Sequence, residues 1–371
     1  MRRVETAQLS GRWAAVVAAL LSVSCTVGCS NDGFVPGPGG MDADGTAGGR
    51  SDAAPDGRLA DVAAEVGAPD AGTADAGPEG PYPVVLAHGM GGFEHLTEAD
   101  QLSYFYEVER ALERAGETVF VTEVAPFASS KRRGEQLLRQ IEKIVGGHPA
   151  DRVNVIAHSQ GGIDARYAAH ERPDLIASVV TISSPNRGVV LADVVLGLID
   201  YPLLREVVDG LIRIFGAPVY EKAGADATLI EPLREISTDA MEKFNGKYHN
   251  RDGVWYGSIA GRSDGHLGRK VCDPFDSPPF VRKWRWTRDP VDPLFRATER
   301  LADGIGADDR YPNDGLVRVS EAKWGHFLGC IPADHYDEVG QLAGDAPGGD
   351  NDWDYLAFYR KLVAYLHDRG L

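Results

Sequence analysis

The stretch "VNVIAHSQGGIDARY", residues 153–167, runs from an apolar strand pattern into a helical pattern and puts Ser159 at the junction. Small residues stand two positions before and two after the serine, Ala157 and Gly161. This is the pattern of a nucleophile elbow, usually written G-x-S-x-G, in which a sharp strand-to-helix turn strains the serine backbone and needs small neighbours. Alanine replaces the commoner glycine at 157. Most serines at such junctions only cap a helix, so the rest of the chain must supply the partners of a nucleophile.

Short β-branched runs alternate with helical patterns around this stretch. Strands are predicted at 83–89, 118–124, 153–157 and 177–185, and helices at about 104–115, 134–146 and 160–170. Strands that are apolar on both faces and are each followed by a helix indicate a parallel sheet covered on both sides. The sequence therefore predicts an α/β fold with a mostly parallel central sheet. Ligand chemistry in such folds lies at the carboxyl ends of the strands, where "HGMGG" and "HSQGG" both fall.

The first 29 residues have the features of an export signal. Arginines precede a mostly apolar run of eleven residues, Trp13–Val23. A membrane-spanning helix needs about 20 apolar residues, whereas a signal peptide needs fewer. In "TVGC" a small residue precedes Cys29, as in the lipobox of bacterial lipoproteins. We therefore expect an exported protein with a lipid anchor at Cys29; ordinary cleavage and free secretion is the alternative.

Residues 30–80 consist mainly of Gly, Ala, Asp and Pro, with ten acids against Arg50 and Arg58, a net charge of −8 out of −17 for the whole chain. Such a composition cannot bury enough apolar surface to offset chain entropy, so a disordered acidic tether is predicted. Residues 81–371 then form one domain. No basic run in it indicates a nucleic-acid partner.

Four cysteines occur, and two of them belong to the export signal. Cys272 and Cys330 remain in the predicted domain. In an exported protein, two such cysteines indicate a disulfide rather than a metal site.

A serine nucleophile needs a base to take its proton and an acid to orient the base. In α/β-hydrolases these partners follow the serine in the order Asp, His. Of the ten histidines, His335 in "ADHYDEVGQL" best fits a loop after the last strand. His326 is its competitor, nine residues earlier.

The candidate acid is Asp314, in the Asn-Asp-Gly turn of "PNDGLV", residues 312–317. Such a tripeptide is by itself only a turn signal. Its position between Ser159 and His335 favours it over its neighbours Asp308 and Asp309.

Attack by a serine nucleophile on a carbonyl group also needs two N–H groups aimed at the developing oxyanion. The N–H of Gln160, directly after the serine, is one candidate. The N–H of Met90 in "HGMGG", after the first strand, is the other.

An amphipathic helix is predicted over residues 203–215, within the longer segment 189–220. The pattern fits an ordinary helix packed on the core. It also fits a mobile lid that exposes its apolar face at a lipid surface.

Taken together, residues 81–371 resemble the foldase-dependent, calcium-containing bacterial true lipases, which are secreted triacylglycerol lipases of the α/β-hydrolase superfamily. The matching segments occur in the same order along the whole domain: "PVVLAHGMGG", "VAPFASSKRRGEQLL", "VNVIAHSQGGIDARYAA", "SVVTISSPNRG", "NDGLV" and "HYDEVGQL". The resemblance implies an α/β-hydrolase fold with segment 189–220 as a helical lid. It assigns the nucleophile, acid and base to Ser159, Asp314 and His335, and the oxyanion hole to Met90 and Gln160.

The resemblance also implies one structural Ca²⁺ beside the histidine loop. Its ligands would be the side chain of Asp337, the backbone carbonyls of Gln341 and Asp345, and a distal aspartate. The distal aspartate best matches Asp292, with Asp289 as the alternative. Oxygen donors of this kind suit calcium.

Two features depart from the family pattern. Ser320 stands where the family has a disulfide cysteine, so a Cys272–Cys330 bridge would be a rearranged version. The lipobox and the tether are unusual for enzymes that are normally released, which puts the need for a lipase-specific foldase partner in question.

The sequence thus predicts a serine ester hydrolase, most specifically a triacylglycerol lipase that acts on lipid at an interface. A carboxylesterase or thioesterase for smaller soluble esters is the nearest rival. A non-catalytic envelope lipoprotein that uses the fold for binding is the rival from another functional class.

Overall fold

The computed structural model describes residues 81–92, 103–198, 230–263, 270–272, 274–293, 295–303, 311–341 and 351–371. The chain divides into two units, Met1–Gly77 and Pro78–Leu371, and every described residue belongs to the second. The predicted signal peptide, the tether, the helix over 203–215, Asp308, Asp309 and Asp345 all lie outside the described residues.

Six described strands form one sheet in the order β2-β1-β3-β4-β5-β6, and every neighbouring pair is parallel. The strands are β1 (Val84–Ala87), β2 (Val119–Thr122), β3 (Val153–His158), β4 (Ile176–Ile182), β5 (Trp255–Gly261) and β6 (His326–Ile331). The predicted α/β fold with a mostly parallel sheet is confirmed.

Ten described α-helices accompany the sheet. They are α1 (Val108–Glu113), α2 (Ser130–Gly147), α3 (Gly161–Glu171), α4 (Val190–Leu198), α5 (Ile230–Glu235), α6 (Thr238–Lys247), α7 (Pro279–Arg282), α8 (Arg296–Asp303), α9 (Val319–Ala322) and α10 (Tyr355–His367). Two 3₁₀ turns, Lys270–Cys272 and Asp337–Val339, complete the description. None of the helices in the described ranges has the length and apolar character needed to cross a membrane.

The strands bury apolar side chains on both faces because successive residues of a strand point to opposite sides. In β1, Val84 and Leu86 join one core cluster, which includes the buried faces of α1 and α10. Val85 and Ala87 join the other cluster, which includes α2 and α3. Each fully buried aliphatic side chain contributes about 1.5–3 kcal/mol relative to an exposed one. This two-sided burial fixes the sheet between two helical layers.

Cys272 and Cys330 form a disulfide, with their Cα atoms 5.0 Å apart. The prediction of a disulfide is confirmed. The bridge joins the 3₁₀ turn Lys270–Cys272 to β6. It therefore holds the segment that precedes α7 against the edge strand of the sheet.

Candidate active site

Ser159 lies directly after β3 in a left-handed backbone conformation, with φ at 54°. This region costs a non-glycine residue about 1–3 kcal/mol and is found mostly at functional sites. The turn is tight enough that a Cβ at Gly161 would lie 2.5 Å from the carbonyl oxygens of Ala87 and His88. Only glycine fits there, so the small residue of the elbow pattern has a steric reason. The turn projects the serine side chain beyond the carboxyl end of the sheet.

Three side chains that are far apart in sequence meet beyond this edge. The Oγ of Ser159 lies 3.0 Å from the Nε2 of His335. The Nδ1 of the same imidazole lies 2.7 Å from the Oδ2 of Asp314. In the tautomer that satisfies both contacts, Nδ1–H donates to the carboxylate and Nε2 accepts from the hydroxyl. All three residues are buried, Ser159 the least, at 8% exposure.

A tight turn holds the carboxylate of Asp314 in place. Its Oδ1 accepts hydrogen bonds from the N–H groups of Leu316 and Val317, at 2.9 and 2.7 Å. Its backbone carbonyl accepts from the N–H of His335, at 2.9 Å. Gly315, with φ at 95°, packs against Phe295 and leaves no room for a side chain. One oxygen of Asp314 is thus committed to the backbone, and the other faces the imidazole.

The competing histidine lies elsewhere. His326 is the first residue of β6, at the amino end of the strand, and its Nε2 is 3.0 Å from Oδ2 of the exposed Asp276. His335 follows the carboxyl end of the same strand. Strand polarity therefore separates the two candidates.

Met90 and Gln160 line one pocket with Ser159 and His335. Within the described ranges, neither backbone N–H donates a hydrogen bond. The next N–H along, that of Gly91, donates to the carbonyl of Pro126 at 3.0 Å. Two buried N–H donors thus remain available for an oxygen anion beside the serine.

The buried guanidinium of Arg133, on α2, organises the backbone before Met90. Its Nη2 donates to the carbonyls of His88 and Gly89 at 2.8 and 3.1 Å. Its Nε donates to Asp164 at 2.8 Å, and both of these side chains are almost fully buried. Burial raises the pKa of Asp164 to about 7, and the charge of Arg133 opposes that rise. The guanidinium therefore connects the glycine-rich loop to α2 and α3.

We expect Arg133→Met to lower the free energy of unfolding by about 3–5 kcal/mol, because it leaves a buried carboxyl group and several carbonyls without their donor. Denaturant unfolding would measure the loss. The matched control is Arg132→Met on the same helix, where the side chain is exposed and a change of about 0.5 kcal/mol or less is expected. Equal losses in the two variants would contradict this role for Arg133.

A second buried network lies behind the imidazole of His335. His158 contacts the hydroxyl of Tyr104 through Nδ1 at 2.6 Å and Oε2 of Glu338 through Nε2 at 2.9 Å. The hydroxyl of Ser183 donates to the other carboxylate oxygen of Glu338, at 2.5 Å. The ring centroids of His158 and His335 are 4.5 Å apart. Burial, with the nearby His335, lowers the pKa of His158 well below its ordinary value, and burial raises the pKa of Glu338.

His88, like His158, serves the structure of its loop. Its Nε2 accepts from the N–H of Val124 at 3.1 Å, so Nδ1–H donates to the carbonyl of Gly89 at 2.9 Å. Burial, followed by the charge of Arg133, lowers the pKa of His88 to about 3. The neutral ring therefore acts as a link between β1 and the strand beside it.

An apolar pocket opens beside the serine. Its lining, apart from Ser159 and His335, consists of Met90, Gln160, Pro185, Val189, Leu191, Ala192, Leu233, Ile236, Leu316 and Val317. Several of these residues come from α4, α5 and the turns before them. The pocket can therefore accept a hydrocarbon group next to the hydroxyl.

Three buried carboxylates converge next to the histidine loop: ligand oxygens of Asp289, Asp334 and Asp337 lie within 4.8 Å of one another. Both oxygens of Asp289 are buried without a hydrogen-bond partner, and the nearby amide of Asn351 only partly compensates. Burial, and then repulsion by Asp334 and Asp292, raises the pKa of Asp289 to about 8. An unneutralised cluster of this kind is costly, and its hard oxygen donors fit a divalent cation such as calcium.

The cluster adds Asp289 and Asp334 to the candidate ligands beside Asp337. Asp289, the alternative, lies beside Asp337, and Asp292 is not among the converging carboxylates. Asp292 is half-buried and donates its backbone N–H to Oδ2 of Asp334, at 3.1 Å. Burial raises the pKa of both Asp289 and Asp334, and repulsion by Asp292 adds to the rise, so its carboxylate also lies near the cluster. Asp334 was not predicted at all. The side chain of Gln341 donates to the carbonyl of Tyr104, at 2.5 Å.

Sequence reasoning also missed Arg133, Glu338 and Tyr104. The first two stand inside segments that carried the family resemblance, "KRRGEQLL" and "HYDEVGQL". The available signal for Glu338 was its charge next to the candidate Asp337, in an otherwise buried segment.

The fold is shared with known proteins. Residues 82–216 match a family model described as the alpha/beta hydrolase fold. The lipase of Staphylococcus hyicus has the same fold, with a TM-score of 0.55 at 17% identity, over 78% of this chain and 96% of that one.

Curated relatives are similar over most of their length. A triacylglycerol lipase of Vibrio cholerae is 34% identical over 309 residues, which cover 78% of this chain and 89% of the relative. A triacylglycerol lipase of Pseudomonas fragi is 30% identical over 269 residues, covering 71% and 89%. The chain therefore belongs to the triacylglycerol lipase family and, with it, to the carboxylic ester hydrolases of the α/β-hydrolase fold.

Proposed function

We propose that this protein is a triacylglycerol lipase in which Ser159 is the nucleophile, His335 the base and Asp314 the acid that orients it. The observation that supports these roles is the continuous contact from hydroxyl to imidazole to carboxylate, at 3.0 and 2.7 Å. A serine that only caps a helix does not require contact with a buried histidine that is itself in contact with a buried aspartate.

In the proposed reaction, Oγ of Ser159 attacks the ester carbonyl while Nε2 of His335 takes its proton. The N–H groups of Met90 and Gln160 donate to the resulting oxyanion. The imidazolium then returns the proton to the departing alcohol, and an acyl-enzyme remains. Water then takes the place of the serine as nucleophile: it loses a proton to His335 and attacks the acyl carbon. The imidazolium returns the proton to Oγ of Ser159, and the fatty acid and the free serine are released.

The apolar lining of the pocket supports an acyl group as the group that is transferred. Each buried methylene of this group would contribute about 0.8 kcal/mol to binding. Residues Val189, Leu191 and Ala192, at the start of the segment proposed as a lid, line this pocket. A movement of that segment would therefore change access to Ser159.

The hydrolysis rate of a short-chain triacylglycerol, measured across its solubility limit, tests this proposal. A lipase with a lid should show a jump in rate when droplets form. A smooth saturation curve through the solubility limit would instead favour the carboxylesterase or thioesterase alternative.

We further propose a structural Ca²⁺ held by Asp289, Asp334 and Asp337, with the backbone carbonyls of Gln341 and Asp345 as additional ligands implied by the family resemblance. A bound cation would neutralise the buried charge of these carboxylates. Because Asp334 and Asp337 flank His335, the ion would fix the loop that carries the base.

Removal of calcium should therefore destabilise the protein. At free calcium about 100-fold above its dissociation constant, the bound ion contributes about 2.7 kcal/mol, so a chelator should lower Tm by about 5–10 °C. Readdition of calcium should restore Tm. Asp289→Asn should remove most of this response, whereas the exposed control Asp276→Asn should keep it. A wild-type Tm that does not respond to the chelator would contradict the site.

The proposed location is the cell envelope, after export, with a lipid anchor at Cys29. Mass spectrometry of the mature N-terminus tests the anchor: diacylated Cys29 supports it, and an unmodified terminus beyond residue 29 excludes it.

A lipase-specific foldase is a proposed partner on the family resemblance alone. Expression with and without such a foldase would show whether active protein depends on it.

A further inference from the structure

An exposed tryptophan stands among cations just before the acidic cluster. Trp286 is 66% exposed, although large aromatic side chains in soluble proteins are mostly buried. Four exposed basic side chains surround it in sequence, and residues 282–288 contain no acid. We call these five residues the Trp286 patch: Arg282, Lys283, Arg285, Trp286 and Arg288.

The charge of the patch contrasts with that of the chain. Its four cations give a local charge of +4 in a protein whose formal net charge is −17. In the described part of the chain, Arg282, Lys283 and Arg288 form no ion pair. The guanidinium of Arg285 lies 5.0 Å from the centre of the Trp286 ring. The charges of Arg282, Lys283 and Arg288 are therefore not paired with carboxylates of the described surface.

The backbone that presents the patch is held firmly from inside. Buried Arg262 donates to the carbonyls of Trp284, Arg285 and Thr287, at 2.8, 3.1 and 3.0 Å. The neighbouring Trp284 belongs to the apolar core, with 8% exposure. The exposure of Trp286 is thus a property of an anchored turn rather than of a loose loop.

The patch also has a defined place relative to the pocket. Arg262 directly follows β5, so the turn that it anchors lies at the carboxyl edge of the sheet. Ser159 and His335 follow β3 and β6 at that same edge. A surface bound by the patch would therefore lie on the side of the molecule where the ester is hydrolysed.

A tryptophan with adjacent arginine and lysine residues is suited to binding a layer of phospholipid headgroups. The indole ring prefers the boundary between hydrocarbon and water, and guanidinium groups pair with phosphate oxygens. We propose that the Trp286 patch binds anionic phospholipid surfaces and thereby brings the carboxyl edge of the sheet to the lipid interface. This inference deepens the proposed lipase function and rests on it for its purpose, but its test does not require hydrolysis.

The test is co-sedimentation of the full chain with vesicles. Every protein carries Ser159→Ala, so that the lipids stay intact, and Cys29→Ser, so that no acyl anchor contributes. Vesicles of phosphatidylcholine alone are compared with vesicles that also contain phosphatidylglycerol. The patch variant is Arg282→Gln/Lys283→Gln/Arg288→Gln, and a second variant is Trp286→Ala. The matched control, Arg132→Gln/Arg139→Gln/Lys143→Gln, removes three exposed cations from α2.

We expect stronger binding to the anionic vesicles, a loss of about 10–100-fold in the patch variant and little loss in the control. Added salt should weaken the binding, because the attraction is electrostatic. Trp286→Ala should also weaken it, since the ring no longer enters the interface. Equal binding to the two kinds of vesicle, equal losses in the two triple variants, or absence of binding to both kinds of vesicle would overturn the proposal. The triple variant in the wild-type Ser159 chain should hydrolyse a soluble short-chain ester normally, which separates failure of this proposal from failure of the proposed function.

Discussion

Ser159→Ala should reduce kcat for ester hydrolysis by about 10⁶-fold, the size of effect found when a serine nucleophile is removed from a triad. The variant has no hydroxyl to form the acyl-enzyme, so only binding and the N–H donors at Met90 and Gln160 could still accelerate attack by water. A residual acceleration of about 10³–10⁴ over the uncatalysed reaction is expected from those groups. Initial rates with a soluble chromogenic ester would measure the loss.

The fold should survive this substitution. Alanine occupies less space than serine, and the position after β3 keeps the same strained backbone with either residue. The matched control is Ser129→Ala, whose hydroxyl caps α2 by accepting from the N–H of Arg132. That control should lose about 1 kcal/mol of stability and keep its activity. A Ser159→Ala protein that retained near-normal kcat would place the nucleophile elsewhere.

Asp314→Asn should lower kcat by about 10⁴-fold, as expected when the acid of a triad becomes an amide. The reason lies in the turn. Oδ1 of Asp314 accepts from the N–H groups of Leu316 and Val317. In the variant the amide oxygen must keep that place, so the NH₂ group turns toward Nδ1 of His335. The imidazole then carries its proton on Nε2 and cannot accept the proton of Ser159.

The chain offers a matched control for this substitution. Asp276→Asn makes the same change in an exposed carboxylate that also contacts a histidine, His326, at 3.0 Å. We expect its kcat to equal that of the unmodified protein. Similar losses in the two variants, or a normal kcat in Asp314→Asn, would argue against the proposed role of the turn.

The part of the site that could be predicted from sequence is the part that local geometry dictates. The elbow requires small residues near Ser159, and the turn requires glycine next to Asp314. Both motifs can therefore be recognised in the amino-acid sequence. His335 was preferred to His326 for its loop context, and the structure adds the reason, since only His335 follows the carboxyl end of β6. The three side chains named from these patterns are the ones that the structure brings into contact.

The residues that support the site are indicated less clearly by the amino-acid sequence. Arg133 is buried through contacts with carbonyls from two distant loops, and its position on α2 resembles that of an ordinary surface arginine. Asp289 and Asp292 both precede a proline and are three residues apart. The resemblance favoured Asp292, whereas the structure buries Asp289 in the carboxylate cluster and leaves Asp292 half-buried beside it.

Two strands were also missed. β5 and β6 each contain glycine in their interior, "WYGSIAG" and "HFLGCI", which weakens the strand pattern. The glycines have tertiary causes that a local pattern does not contain. A Cβ at Gly261, the last residue of β5, would lie 1.8 Å from a carboxylate oxygen of Glu338, and Gly329, inside β6, has φ at 126°.

Covalent labelling with a fluorophosphonate tests the central claim most directly, because the reagent reacts with a serine only when a base activates it. After incubation with the full chain, intact mass and peptide mapping would locate the adduct while the loss of esterase activity is followed in parallel. The account predicts one phosphonyl group per chain, on the peptide that contains Ser159, with activity lost in proportion. A labelled protein whose adduct lies on another serine, or an active protein that takes up no label, would contradict it.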